Sequence, residues 1–346
     1  MKNKFAFSLI LLAFINCANA QEKSKNEQLL DRIIFLAQEN SVNTEKVDWN
    51  MVSKIIKENL DIKDSSSNAL AIPVRLLLTE LNDFHGALII NGERYMGDVK
   101  KNDFQLPYEL NQEIPSTLYK ESLEGYKIKA EILSKNIGYI AIPAINIGSD
   151  QNAIVLATNT IRDSICNLLS KKPTKLIIDL RTNIGGNMYP MLSGLGLLFP
   201  NMQLGGDSKD GKSFYSEWEL KEGNLYMGGS QMTSLPINCK CTNKIKKYVV
   251  LTSRYTTSSG EAVASSLKGQ QNITLLGEQT AGYSSTNSWY QLSDEILFSP
   301  AIAYYMSMDK TFHINGIFPD IQIEEVFDLD NLKEGKTIDK AIEILK

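Results

Sequence analysis

The stretch Tyr248-Val-Val-Leu-Thr-Ser-Arg-Tyr-Thr-Thr-Ser-Ser-Gly-Glu261, followed by an apolar segment to Lys268 and then by Ile273-Thr-Leu-Leu-Gly277, decides the fold. Tyr248–Thr252 is a short apolar run rich in β-branched residues, the signature of a strand buried on both faces. The residues from about Ser259 to Lys268 suit a helix, and Ile273–Gly277 is a second buried strand. Strand, helix and strand at this spacing describe a βαβ unit, and hence a largely parallel sheet.

The same rhythm extends upstream. Ile137-Gly-Tyr-Ile-Ala-Ile142 reads as a strand, Asp150 as the cap of a helix running to Leu169, Lys175-Leu-Ile-Ile-Asp-Leu180 as a further strand, and Met188–Leu198 as a helix. Residues 205–240 are rich in Gly and Ser and read as a long excursion over the surface. Strands near Gln291–Phe298 and Ala301–Met306 are expected to finish the core, and a short amphipathic helix closes the chain. Residues 136–346 therefore form an α/β core domain.

The first 135 residues differ. Leu29, Leu30, Ile33, Ile34 and Ala37, then Val47, Val52, Ile55 and Ile56, recur at helical spacing. After a polar break, Pro73 suits the first turn of a third helix carrying Leu76, Leu77, Leu81 and Phe84 on one face. Residues 21–85 thus read as a small helical bundle, and residues 86–135, with mixed strand-like signals, as a cap or linker. Residues 1–20 have the order of an export signal: Lys2 and Lys4, an apolar run from Phe5 to Ile15, then Ala18-Asn-Ala20 before Gln21. That run is too short to span a bilayer. The expected mature protein is periplasmic or extracellular, with no transmembrane anchor after cleavage of the signal.

Net charge is −4 over 346 residues. Removing Lys2 and Lys4 takes away two positive charges and brings it near −6. No basic stripe is present, which argues against a nucleic-acid partner. Beyond residue 20 the cysteines are Cys166, Cys239 and Cys241, too few for a disulfide scaffold, and their pairing is open. Without a second Cys pair or a His-Glu-x-x-His helix no metal site is expected, nor is a cofactor: nucleotide-binding glycine spacing is missing.

Four segments offer chemistry. In Thr256-Thr-Ser-Ser-Gly-Glu261, Ser258 and Glu261 have the spacing of a capping box, the ordinary start of a helix. The same place puts the Ser258 hydroxyl at the positive end of a helix dipole, among unpaired N–H groups. Asp179-Leu-Arg-Thr-Asn-Ile-Gly-Gly186 ends a strand in a Gly pair, either a plain turn or a loop whose amides approach a substrate carbonyl. In Asn82-Asp-Phe-His-Gly86, His85 follows Leu77 and Leu81 at helical spacing, either core-facing or reaching into a cleft from a helix end, with Gly86 as the expected helix stop. His313-Ile-Asn-Gly-Ile-Phe-Pro-Asp320 alone is a turn.

In this order, with Gly277-Glu-Gln-Thr-Ala-Gly282, these motifs resemble the core of the C-terminal processing (tail-specific) serine peptidases over Asn136 to Glu325. The resemblance implies a ClpP/crotonase-like core and a peptide or protein substrate. It implies Ser258 as nucleophile and an oxyanion hole built from the amides of Ser259 and of Gly185 or Gly186. The family's processing branch places a basic Lys where this sequence has Tyr283. The departure points to the branch similar to the tricorn core and the nisin-resistance protein, which lacks a PDZ domain here and uses a His from the N-terminal region; Asp83-Phe-His85 matches that position. Some members of that branch carry a Glu where His313 stands, so the group that orients His85 is open. Chemically, a Ser hydroxyl needs a base within hydrogen-bond reach, and a His near neutral pKa supplies one. The expected function is an exported serine peptidase working through an acyl-enzyme, its substrate bound as an added strand. The competing reading is a catalytically inactive peptide- or lipophile-binding module on the same fold.

Overall fold

The computed structural model of the chain describes residues 23–98, 113–326 and 328–346; the signal-like residues 1–20 lie outside them. Its centre is a six-stranded sheet in the order β17 (Ile321–Gln322), β11 (Ile273–Gly277), β10 (Lys247–Thr252), β5 (Lys175–Asp179), β4 (Ile137–Ala141), β3 (Lys129–Ser134). The first five are parallel and β3 is antiparallel to β4. The apolar runs read as doubly buried strands are so because both faces are covered. Leu176, Ile178 and Val250 point into a core shared with α5 (Gln151–Ser170), α6 (Met188–Leu195) and α7 (Ser259–Leu267). Ile177, Val249 and Leu251 point to the other face, closed by Ile338, Ala341 and Leu345 of α8 (Lys336–Leu345). Asp150 caps α5 as expected, accepting the Ala153 N–H at 2.7 Å.

Residues 205–240 are not a surface excursion. They supply most of a second, seven-stranded sheet: β12 (Ser285–Asn287), β15 (Ala301–Met306), β6 (Met202–Ser208), β7 (Ser216–Lys221), β8 (Asn224–Met227) and β9 (Ser230–Gln231) in that order, with β16 (Phe312–His313) paired to β15. Trp218, Leu220 and Leu225 anchor it in the main core. The glycines that mimic a loop are there for close approach: at Gly206 a Cβ would lie 2.0 Å from the Ser216 carbonyl oxygen of the neighbouring strand. Cys166 on α5 and Cys239 form a disulfide, and Cys241 is free.

The N-terminal helices α1 (Lys25–Asn40), α2 (Trp49–Glu58) and α3 (Ala71–Glu80) pack on a third sheet, ordered β13 (Tyr290–Gln291), β14 (Ile296–Ser299), β1 (Ala87–Ile90), β2 (Glu93–Met96). Leu77, Leu81, Leu88, Ile90, Ile296 and Phe298 share one apolar cluster. The strand over Ile296–Ser299, expected to finish the α/β core, finishes this unit instead. The segment read as a cap divides likewise: β1 and β2 join the N-terminal unit and β3 joins the central sheet, with α4 (Glu113–Leu123) between. Among the described residues no helix is long and apolar enough to cross a membrane.

Candidate active site

Parallel neighbours put the ends of consecutive strands side by side. Because β5 and β10 are adjacent, the Gly185-Gly186 loop after β5 and the Thr256–Ser259 turn after β10 meet at the carboxyl edge of the sheet, where ligands bind in open α/β sheets. Asn183 wires them together. Its Nδ2 donates to the carbonyls of Ile142 (3.1 Å) and Pro143 (3.2 Å), its Oδ1 accepts the Gly185 N–H (3.0 Å), and its own carbonyl accepts the Thr257 N–H (2.9 Å). Ser259 Oγ donates to the Gly186 carbonyl at 2.7 Å, holding the glycine loop against the start of α7. Arg181, from the same segment, is a buried structural group bridging Asp179 and the Leu332 carbonyl.

Ser258 sits at φ 53°, ψ −113°, the conformation of the first central residue of a type II′ turn and one that glycine normally occupies. A non-glycine residue there stores on the order of 1–3 kcal/mol. The spacing makes a capping box, in which Glu261 Oε2 accepts the Ser258 N–H at 2.9 Å. The Ser258 hydroxyl turns toward the cleft. Glu261 is fully buried, and its other oxygen accepts Thr280 Oγ1 (2.5 Å) and the Gly282 N–H (2.8 Å). Burial pushes its carboxyl up to about 7, and those donors pull it back. Thr280 Oγ1 in turn accepts the Ile317 N–H at 2.7 Å, so the Thr-Ala-Gly and Gly-Ile-Phe-Pro-Asp motifs are braces for the serine turn.

His85 arrives from the other unit. Helix α3 stops well before Gly86, at Asn82 (φ 51°): Asp83 N–H bonds the Leu78 carbonyl (2.8 Å) and Asn82 N–H that of Thr79 (3.0 Å), a Schellman closure. Asp83, buried, then accepts the Gly86 N–H (2.6 Å) and the Ala301 N–H (2.8 Å), stapling the turn that carries His85 to the β14–β15 corner. Gly86 serves space rather than helix termination, since a Cβ there would lie 2.3 Å from Asp83 Oδ2.

The turn delivers the imidazole to the serine. His85 Nε2 lies 3.1 Å from Ser258 Oγ, and Nδ1 lies 2.7 Å from Ser285 Oγ. Ser285 Oγ donates to Asn287 Oδ1 (3.1 Å), and Asn287 Nδ2 donates back to the His85 carbonyl (3.1 Å). In that direction of donation Nδ1 carries the ring proton and Nε2 is free to accept one. Tyr283, where a Lys would stand in the processing branch, packs edge-on against His85 with ring centroids 5.4 Å apart. Burial, with Arg94 nearby, lowers the imidazole pKa to about 3. His313 takes no part: it is buried against Ser307 Oγ at 2.9 Å.

Of the two glycines, Gly185 has spent its N–H on Asn183. At the bridge to Ile145 the bonds run from Ile145 N–H to the Gly185 carbonyl and from Asn187 N–H to the Ile145 carbonyl, passing over the Gly186 amide. The Ser259 amide is the first of α7, outside the helix's own ladder.

Residues 136–323 match peptidase family S41. The chain belongs to that family. Family S41 membership assigns it, by class, to the peptidases. Nisin-resistance protein of Lactococcus lactis subsp. lactis is 34% identical over 207 residues, which cover 59% of this chain and 61% of that relative. The chain thus spans about three fifths of the length of this curated relative. In fold, the S41 chain is similar to a lipoprotein from Streptococcus agalactiae (TM-score 0.61, 21% identity, 87% of this chain and 93% of that one). It is also similar to the photosystem II D1 C-terminal processing protease (TM-score 0.51, 12% identity, 87% and 94%). The α/β expectation and the family resemblance are both met. Sequence reasoning about this S41 member missed Asn183, Ser285 and Asn287. The Gly-Tyr-Ser-Ser-Thr-Asn run around the last two reads as turn composition.

Proposed function

We propose that this chain is an exported serine peptidase in which Ser258 attacks the scissile carbonyl, His85 is the general base, and the Ser259 and Gly186 amides receive the oxyanion. One observation carries the reading: an imidazole nitrogen 3.1 Å from a hydroxyl on a strained turn, with its other nitrogen held 2.7 Å from Ser285. The leader-like residues 1–20 support export.

The groups divide the work as follows. Neutral His85 accepts the Ser258 proton through Nε2 as Oγ bonds to the carbonyl carbon. The resulting oxyanion meets amides fixed by the helix start and by the glycine loop, each such donor contributing ~10²–10³ in rate. The third group of the constellation is a hydroxyl, not a carboxylate. It fixes the tautomer but adds no negative charge to stabilise the imidazolium, in keeping with the low His85 pKa. His85 is therefore a reluctant base and a willing acid, which favours the second proton transfer, from Nε2 to the leaving amine. Water then repeats the cycle on the acyl-enzyme.

A fluorophosphonate probe should label Ser258 in the intact protein and nothing in Ser258→Ala, and His85→Ala should slow labelling and abolish peptide hydrolysis. An unlabelled, inactive wild type would overturn the reading in favour of a binding module.

A further inference from the structure

The bonds that aim His85 come from β12, and β12 is itself irregular. Its pairing with β15 shifts register between Thr286 and Asn287: Thr286 opposes Ala303, but Asn287 opposes Ala301. The extra residue of that shift, Ile302, belongs to β15, and the alternation of β12 places Ser285 and Asn287 together on His85. Thr286, between them, reaches the other way, and its Oγ1 donates to Asp207 Oδ1 at 2.5 Å. Asp207 lies on β6 and is buried. Its Oδ2 accepts the Trp218 Nε1–H at 3.3 Å from β7, and its backbone is in register with Tyr305 of β15. A neighbouring strand thus holds the carboxylate, and that carboxylate holds Thr286, the middle residue of β12, beside the register shift.

Buried carboxylates are costly and normally paired with a cation. Among the described residues no lysine or arginine forms an ion pair with Asp207. The groups facing it are Thr286 from β12, Trp218 from β7, and the phenols of Tyr305 on β15 and Tyr189 on α6. Burial pushes its carboxyl up to about 7, with the Thr286 and Trp218 bonds opposing. Replacing a buried polar pair by hydrophobic groups of the same shape is often neutral or stabilising, so stability alone does not account for a carboxylate here. What the carboxylate does accomplish is a short bond to the middle residue of a three-residue strand whose two flanking side chains orient the imidazole.

We propose that Asp207 is a positioning residue for His85, acting through Thr286 to hold β12 in the register that presents Ser285 and Asn287. The proposal rests on His85 being the base. It distinguishes Asp207 from Asp83, which staples the backbone turn carrying His85 rather than the side chains that meet the imidazole.

The test is steady-state kinetics and thermal unfolding of Thr286→Val, Thr286→Ser and Asp207→Asn in the full chain, on a peptide that the wild type hydrolyses. Misplacing a reacting group by about 1 Å costs ~10²-fold. Thr286→Val should accordingly lower kcat between about 10- and 100-fold with KM within about twofold. Thr286→Ser, which keeps the hydroxyl, should stay within about threefold of wild type. Asp207→Asn, which keeps an acceptor but loses the charge that strengthens the bond, should fall between them. Folded Thr286→Val with wild-type kcat overturns the proposal. So does a loss that Thr286→Ser fails to restore, because the hydroxyl is then not the link. If the wild type itself hydrolyses no peptide and takes no fluorophosphonate label, the serine-peptidase reading fails, and the positioning role fails with it for that separate reason.

Discussion

The two sides of the cleft are built by different means. The Ser258 side is local and strained: a residue at φ 53° is held by Glu261, three positions ahead, and by Thr280 and Asn183 on adjoining loops of one sheet edge. The His85 side is long-range and relaxed. Its imidazole is held by Ser285, 200 residues away, on a strand of another sheet, and the two hydroxyls it bonds, those of Ser258 and Ser285, carry no charge. Ser258 is thus fixed within one sheet edge and His85 by pairing between sheets. Substitutions on the first side should register as strain or its release, and those on the second as loss of alignment.

The widest test of the contrast removes both partners. Ser258→Ala and His85→Ala should each reduce kcat on the order of 10⁴–10⁶-fold, and the double variant should lose little more than the worse single one, because the two act as a unit. Additive losses would separate them. Ser285→Ala should cost kcat about tenfold, a loss that carboxylate-oriented histidines greatly exceed. A drop as large as that of His85→Ala would mean that the hydroxyl does more than fix a tautomer.

The strained side makes a prediction of opposite sign. Ser258→Gly should be inactive yet more stable than wild type by about 1 kcal/mol, since glycine adopts φ 53°, ψ −113° without steric cost. Ser258→Ala, which keeps the Cβ, should show no such gain in denaturant unfolding.

The smallest effect is in the pH dependence of stability. The carboxyls of Glu261 and Asp207 are raised to about 7 and that of Asp83 to about 6. A carboxyl raised above its unfolded value near ~4 binds its proton more tightly in the native state. Its contribution is fully present below the unfolded pKa and is lost as pH rises through the folded one. Unfolding free energy should therefore rise from pH 8.5 to 7 by roughly half a kcal/mol for each group near 7. Glu261→Gln should remove its share, and an unchanged slope in that variant would contradict the assignment. Below about 6.5 the rise is opposed, because His85 and His313, lowered to about 3 and 4, take protons only when unfolded.

What the sequence makes legible follows the same division. Strands such as Lys175–Asp179 announce themselves because both faces are buried and the run Leu176-Ile-Ile178 at its centre is apolar. Ser258 was named through the resemblance, with Glu261 three residues on as its local signal. His85 was named through the resemblance too, but its partners were not, for Ser285 and Asn287 reach it from a strand about two hundred residues away, which no local pattern encodes. Residues 205–240 were misread because Gly205 and Gly206, needed where strands touch, carry the composition of a loop. The strand at Ile296–Ser299 was recognised, but not its partner, since pairing with Ala87–Ile90 joins chain segments about two hundred residues apart.

That last pairing also sets an order of assembly. The turn bearing His85 is closed by the Ala301 amide and flanked by a strand whose partner ends at Ser299. While the chain is still emerging from the ribosome, the helices of the first eighty residues and the serine turn can each form without the other. The side chains of His85 and Ser258 have no means of meeting until Ala301 has been made, so the pairing is assembled only after both of its halves.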